Sequence, residues 1–223
     1  VLHRIMRHNI RNDLTKLRGY VDLLASDTET DTREQRAATI RDILDKWERM
    51  ANKTQELQNI LTSESALASH QSAQQIAEDI QAKKEDEHAN ANITITADHD
   101  LESQIPSDLE KAISELVENA ITANDTEHPS VQISVSQADE RWVEVCVSDT
   151  GPGLPEMEKN LLETGEETPL SHGQGLGLWM VRALVTRAGG SISVDTSGDG
   201  SEIRLEVPTQ PAREDSQKPG IVS

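Results

Sequence analysis

The sequence predicts a two-part chain, in which a pair of long helices precedes an α/β sandwich. Two patterns support this. In residues 1–26 and about 33–65, apolar residues recur at intervals of three and four, which is the period of a helix with one apolar stripe. From about residue 72, alternating runs typical of strands are interleaved with helical runs. Such a mixture predicts helices on one face of a mixed sheet.

The two long helices are joined by a short polar segment at residues 26–32, so we expect an antiparallel hairpin. One hairpin cannot bury two apolar stripes of this length well, so we expect a homodimer in which two chains form a four-helix bundle. The alternative is a single hairpin that packs on the second domain. We assign residues 1–66 to this dimerisation hairpin.

The second domain is assigned to residues 72–208, after a linker at 66–72. Its predicted helices are 72–87, 107–123 and 174–188. Its predicted strands are 93–96, 131–135, 142–147, 191–194 and 203–207. The polar, proline-containing segment 209–223 predicts a disordered tail.

Composition narrows the class of protein. The 223 residues carry a net charge of −19, which argues against binding to nucleic acid or to anionic membrane surfaces. Acidic residues spread along the whole chain favour a halophilic protein over an ordinary acidic one.

The single cysteine, Cys146, lies in an alternating run and is expected to be a buried strand residue. No apolar run long enough to cross a membrane is present, so a cytoplasmic location is expected, with membrane attachment only through a segment preceding Val1.

Two glycine clusters indicate a nucleotide site. The first is Asp149-Thr150-Gly151-Pro152-Gly153, and about twenty residues later Gly173-Gln174-Gly175-Leu176-Gly177-Leu178 leads into a helical pattern. Glycines let backbone amides approach phosphates, and a helix that begins there presents its positive dipole end. A rigidly held Asp149 carboxylate is suited to accept from the amine of a purine. Neither a P-loop nor a dinucleotide-binding fingerprint is present.

The predicted helix before these clusters carries two candidate ligands on one face. Glu115 and Asn119 are four residues apart, and carboxylate and amide oxygens are ligands that Mg²⁺ prefers. Taken alone, this pair is better explained as a solvated helix face. Its position before both glycine clusters favours a metal-nucleotide site.

These three motifs together resemble the sensor histidine kinases, whose ATP-binding domain is shared with gyrase. Glu115 to Ala120 is similar to the N box, the first glycine cluster to the G1 box and the second to the G2 box. The resemblance implies that Asn119 holds Mg²⁺, Asp149 binds adenine, and residues 156–172 form a mobile lid. It also implies that Gly151 and Gly153 shape the adenine pocket and that Gly173, Gly175 and Gly177 admit the phosphates, with Leu176 also in contact with the nucleotide.

The first helix carries a segment, His8 to Leu14, that resembles the phosphoacceptor H box of the same family. By this resemblance His8 accepts the phosphoryl group, and Asn12 helps to place a water for dephosphorylation of the partner. Asn9 replaces an acidic residue and cannot act as a base, so it either hydrogen-bonds the ring or a carboxylate elsewhere serves. Asp13 replaces a proline, so we expect a straighter helix. The Arg-His-Asn-x-Arg-Asn-Asp pattern and the acidity resemble haloarchaeal members.

The resemblance implies the catalytic core of a two-component kinase, with ATP and Mg²⁺ as ligands and the receiver domain of a response regulator as partner. Three alternatives stay open. Asn9 favours a phosphatase-biased or degenerate kinase. Glu115, which resembles the water-activating glutamate of hydrolytic relatives, favours an ATP-hydrolysing dimeric clamp without phosphohistidine. The third is a non-catalytic dimeric adaptor.

Overall fold

The computed structural model describes residues 2–26, 30–62, 69–98, 103–165, 175–196 and 200–209, with side chains at all of them except 2–9, 26, 30, 61 and 175. These residues divide into two compact units, one within Val1–Glu64 and Pro155–Ala183, the other within Ser65–Leu154 and Leu184–Ser223. In chain order the elements are α1 (Leu2–Ser26), α2 (Thr30–Thr62), β1 (His70–Ser72), α3 (Ala73–Glu87), β2 (Asn92–Ala97), β3 (Gln104–Pro106), α4 (Leu109–Thr122), β4 (Ser130–Asp139), β5 (Trp142–Asp149), α5 (Glu156–Thr164), α6 (Gly175–Arg187), β6 (Ser191–Asp195) and β7 (Glu202–Pro208).

The first unit contains the two long helices that the apolar period predicts, α1 and α2. Met50, Leu57 and Ile60 of α2 are buried. Several large apolar side chains of the two helices stay exposed in the single chain, namely Ile10, Leu14, Val21, Leu23 and Leu44. The four-helix bundle of two chains therefore stays a prediction. No helix among the described residues has both the length and the apolar character needed to cross a membrane.

The second unit is built on a five-stranded sheet with the order β2-β4-β5-β7-β6. β2 pairs parallel to β4, and every other neighbouring pair is antiparallel, so the predicted mixed sheet is confirmed. The buried core side chains of neighbouring central strands lie side by side in register, as Ile133, Val147 and Ile203 do. α3 packs on β2 and α4 on β5, with Ile76, Ile113 and Leu116 essentially inaccessible to solvent.

Cys146 is a buried residue of β5, as expected. Its Sγ lies 3.5 Å from Oε1 of Glu202 on the neighbouring strand. Burial, together with the negative charge of Glu202 and the hydrogen bond to it, raises the pKa of the thiol to about 12.

The structure departs from the predicted elements in three places. β1 and β3 form a separate two-stranded sheet, and β1 lies inside the segment predicted as a linker. Strands of three residues are too short to show a period, which is why the sequence did not reveal them. The segment 156–172, predicted as a mobile lid, begins with the helix α5, while 166–172 lies outside the described residues. Thr209 donates its N–H to the carbonyl of Arg141, so pairing continues one residue into the predicted tail, whose remainder also lies outside them.

Candidate functional site

The end of β5 holds the carboxylate of Asp149 in a fixed position. Its Oδ1 accepts the backbone N–H of Gly151 at 2.7 Å, and its own N–H donates to the carbonyl of Ser201 at 3.0 Å. A β-carbon on Gly151 would lie 2.8 Å from that Oδ1. Glycine is therefore required at 151 if the carboxylate is to keep this orientation. Asp149 as a whole is half-buried, so part of the residue remains accessible to a ligand.

Gly200 passes directly over the same strand end. Its φ is +120°, and a β-carbon there would lie 1.8 Å from the carbonyl oxygen of Asp149. Only glycine tolerates that backbone conformation and that approach. Gly153, predicted to shape the pocket, has a φ of 82° and lies next to Gly200. The structure thus brings Asp149, Gly151 and Gly153 together, and adds Gly200, which the sequence analysis did not single out.

Two asparagines lie in and just after the C-terminal half of α4. The helix buries a stripe that includes Leu116 and Val117, and leaves Glu115 and Asn119 half-buried on a shared face. Nδ2 of Asn119 is buried and has no hydrogen-bond partner among the described residues. Nδ2 of Asn124, just beyond the helix, is in the same situation, and the Cα and Cβ of Asn124 lie next to Gly151.

Glu118, the residue before Asn119, belongs to an ionic cluster with α3. Its Oε2 lies 2.8 Å from Nζ of Lys84 and 3.0 Å from Nε2 of His88, and Lys84 also bonds Glu87 at 2.8 Å. His88 and its partner Glu118 are 30 residues apart along the chain, so no local pattern could reveal this contact.

The charges of this cluster stabilise one another. Burial of Glu118 would by itself raise its pKa, but hydrogen bonds from Lys84 and His88 outweigh burial and lower that pKa. Burial of Lys84 is likewise outweighed by its two carboxylate partners, so the pKa of Lys84 is raised. Glu87, His88 and Glu118 have ligand atoms within 4.8 Å of one another, but the Lys84 ammonium already supplies the cation between the carboxylates. We interpret the cluster as an anchor for the α4 turn that carries Asn119.

The second glycine motif is only partly described. Gly173 lies outside the described residues, and Gly175 is the first residue of α6. Leu176 and Gly177 are buried in the first turn. Further along α6, Arg182 donates to the carbonyls of Leu162 and Glu163 at 3.0 and 3.1 Å, which caps the C-terminal end of α5.

The candidate phosphoacceptor segment lies in α1. His8 and Asn9 are helical, but their side chains lie outside the described ones. Asn12, one turn after His8, is exposed. The helical period therefore places position 8 on the same side of α1 as Asn12 and the exposed Thr15.

Asp13 joins the two long helices. It is 7% exposed, and its Oδ2 accepts from Nζ of Lys46 at 3.2 Å and from Nε1 of Trp47 at 3.1 Å. The sequence did not reveal the hydrogen bond that Trp47 donates. This contact fixes α1 against α2 five residues beyond His8.

Comparisons with known proteins agree with the motifs. The family model described as histidine kinase-, DNA gyrase B- and HSP90-like ATPase matches residues 104–211. The adaptive-response sensory kinase SasA of Prochlorococcus marinus is 34% identical over 51% of this chain and 31% of its own length. The kinase/phosphatase MprB of Mycolicibacterium paratuberculosis is 26% identical over 87% of this chain and 39% of its own. The chain thus spans about a third of the length of these two relatives.

A shorter relative matches over most of its length. The sensor histidine kinase component HK1 of Mycobacterium tuberculosis is 32% identical over 53% of this chain and 72% of its own length. Among solved structures, the histidine kinase ThkA in complex with the response regulator TrrA gives a TM-score of 0.72, at 21% identity, over 96% of this chain and 62% of that one. At that identity the likeness concerns the fold.

Proposed function

This chain belongs to the sensor histidine kinase family, and we propose that it is the catalytic core of such a kinase. It binds ATP with Mg²⁺, transfers the γ-phosphoryl group to His8, and passes it to an aspartate in the receiver domain of a response regulator. In this proposal residues 1–66 are the dimerisation and phosphoacceptor hairpin, and residues 72–208 are the ATP-binding domain.

The observation that carries the proposal is the arrangement around Asp149. One oxygen of its carboxylate is fixed by Gly151, and glycines at 151 and 200 let the chain pass closely around it. The other oxygen is left to accept from the amine of adenine. An acceptor held in place before the ligand arrives binds without the cost of ordering the side chain.

Asn119 fits the Mg²⁺ role. Its Nδ2 is buried without a partner among the described residues, and the oxygen and nitrogen of a carboxamide can exchange places by a flip of the group. The group can therefore present an oxygen, which Mg²⁺ prefers. When bound, Mg²⁺ neutralises charge on the phosphates. The Glu118 cluster would keep the α4 turn with Asn119 in place. The phosphate end of ATP is assigned to Gly173, Gly175, Leu176 and Gly177.

His8 is proposed as the nucleophile. A neutral imidazole nitrogen attacks the γ-phosphorus, the bond to the leaving ADP oxygen breaks, and the imidazole proton passes to a base. Asn9 cannot be that base, so it would orient the ring by a hydrogen bond. Asn12, exposed one turn later, is placed to hold a water for dephosphorylation of the receiver.

A homodimer is supported by the exposed apolar side chains of the hairpin. Leu14 and Val21 of α1 are 58% and 54% exposed, and Leu44 of α2 is 52% exposed. Their burial in a four-helix bundle would remove this apolar surface from water. Leu14→Glu should convert a dimer to a monomer in light scattering after gel filtration. A monomeric wild type would contradict the bundle.

The first experiment is incubation with γ-³²P-ATP and Mg²⁺ in high-salt buffer, with His8→Gln beside the wild type. Label that is labile in acid, stable in base and lost in His8→Gln is expected. Transfer of that label to a receiver domain would complete the assignment. Normal ATP binding with no labelled protein would overturn the kinase assignment.

A second candidate is an ATP-hydrolysing or phosphatase-biased protein. Glu115, on the same face of α4 as Asn119, favours hydrolysis, and Asn9 favours weak autophosphorylation. MprB is itself named a kinase/phosphatase. Rapid release of free phosphate without labelled protein, abolished by Glu115→Gln, would favour this candidate. Asn9→Asp should raise autophosphorylation if Asn9 limits it.

A further inference from the structure

Asn124 is a buried asparagine with only half of its carboxamide in use. The residue is 8% exposed and follows the C-terminal end of α4. Its Oδ1 accepts the N–H of Thr126 at 3.1 Å, which closes the turn after the helix. Its Nδ2 is buried and has no partner among the described residues. An unpaired buried amide costs about 1–3 kcal/mol, so its presence calls for a function.

The base of the Asn124 side chain lies near the Asp149 carboxylate. The position that a β-carbon of Gly151 would occupy is 3.7 Å from Cβ of Asn124 and 2.8 Å from Oδ1 of Asp149. Both side chains therefore border the same small volume, yet no hydrogen bond joins them within the described structure. The turn to Thr126 leaves Asn124 with a donor, and the bond to Gly151 leaves Asp149 with an acceptor.

A donor beside an acceptor matches one edge of adenine. The exocyclic amine of adenine donates, and a ring nitrogen that accepts lies on either side of it. We propose that Asn124 recognises the base of the bound nucleotide. Its Nδ2 donates to a ring nitrogen next to the amine from which Asp149 accepts a hydrogen bond. The inference rests on the proposed function, because it requires ATP at Asp149.

The same pair discriminates against guanine. In an equivalent pose, guanine places its carbonyl oxygen against the Asp149 carboxylate, which is a mismatch. If Asn124 binds the nitrogen of the six-membered ring, guanine also places an N–H against its amide, whereas the nitrogen of the five-membered ring accepts in both bases. Unmatched buried polar groups are what give such sites their specificity. Asn124 would then act together with Asp149 as a specificity determinant.

The test is a cycle that pairs a protein variant with a ligand variant. Dissociation constants for ATP, 1-deaza-ATP and 7-deaza-ATP with Mg²⁺ are measured by calorimetry on the wild type and on Asn124→Leu. Each deaza analogue lacks one of the two ring nitrogens beside the amine. The wild type should bind one of the two analogues about 3- to 10-fold more weakly than ATP, as expected for the loss of one hydrogen bond. Asn124→Leu should bind that analogue and ATP equally.

Asn124→Asp provides a second variant that keeps the oxygen for Thr126 and the side-chain volume but replaces the donor. It should also lose the discrimination between ATP and the analogue. Asn90→Asp, at an exposed position, controls for the added charge. If an analogue weakens binding equally in the wild type and in the Asn124 variants, or if neither analogue weakens the wild type, the assignment is overturned while ATP binding stands. A wild type that binds no ATP would overturn the proposed function and this assignment with it.

Discussion

Replacement of Gly151 by alanine should change the orientation of the Asp149 carboxylate while leaving the stability of the fold nearly unchanged. A β-carbon at 151 would lie 2.8 Å from Oδ1 of Asp149, whereas ordinary contacts begin near 3.4 Å. The backbone of Gly151 has no positive φ, so alanine meets no conformational penalty there. The side chain of Asp149 must therefore rotate and give up its 2.7 Å bond to the N–H of 151.

The structure sets the size of two opposing effects on stability. Loss of the partly exposed charge-assisted hydrogen bond costs about 1 kcal/mol. The lower entropy of an unfolded chain with alanine at this position returns about 0.4–1 kcal/mol. The free energy of unfolding of Gly151→Ala should therefore stay within about 1 kcal/mol of the wild type. Affinity for ATP should fall by about 10- to 100-fold, because a carboxylate hydrogen bond contributes about 1.5–3 kcal/mol.

Calorimetric titration with Mg²⁺-ATP and thermal melting by circular dichroism measure the two quantities. Gly19→Ala is the matched control, because nothing lies within 4 Å of a β-carbon in the interior of α1. It should leave ATP affinity unchanged and raise stability by about 0.5–1 kcal/mol. Asp149→Asn supplies the reference loss of affinity. If Asp149→Asn weakens binding while Gly151→Ala binds as the wild type does, the fixed orientation of the carboxylate has no role.

Three further outcomes are expected. Lys84→Met should destabilise the protein by about 2–3 kcal/mol, because it removes one charged partner of the half-buried Glu118. The control Lys83→Met, at the exposed neighbouring position, should change stability little. Urea unfolding measures the stability of both variants. The pKa of Glu118 is lowered in the folded state, so the cluster stabilises the fold fully above the ordinary value of 4.5 and loses this contribution as pH falls through the folded value. The stabilities of the wild type and Lys84→Met should therefore converge in acid. A difference in stability that does not change with pH would contradict the ionic cause. Asp13→Asn should lower the free energy of unfolding by about 1–2 kcal/mol in thermal melts, because it weakens the contact to Lys46 and Trp47. Asp42→Asn, at an exposed position, is the control. Equal melting temperatures of the two variants would show that the Asp13 contact does not stabilise the protein. With a net charge of −19, the melting temperature should rise from low to molar salt, and a flat profile would argue against a halophilic surface.

The long elements could be predicted from the sequence because each has its own period. α1 and α2 repeat apolar residues over many turns, and β4 and β5 alternate over their length, so their existence is confirmed with ends that move by a few residues. The same local rule failed for β1 and β3, which are three residues long and pair across more than 30 residues of chain. Pairing of that kind is set by the tertiary fold rather than by local pattern.

The candidate site divides in the same way. Asp149, Gly151 and Asn119 stand in motifs that can be read along the chain. Asn124 cannot, because a polar residue after a helix is ordinary and only its burial against Gly151 distinguishes it. His88 could not be recognised either, because its partner Glu118 belongs to another helix.

The buried thiol of Cys146 makes this chain convenient for labelling. With a pKa of about 12, only about one thiol in ten thousand is ionised at pH 8, and the thiolate is the species that reacts with maleimides. It is the only cysteine among the 223 residues. A cysteine introduced at an exposed position, such as Lys83, would therefore carry a spin label or fluorophore without prior removal of the native one. Distances between such labels could follow the chain through nucleotide binding in an otherwise unaltered sequence.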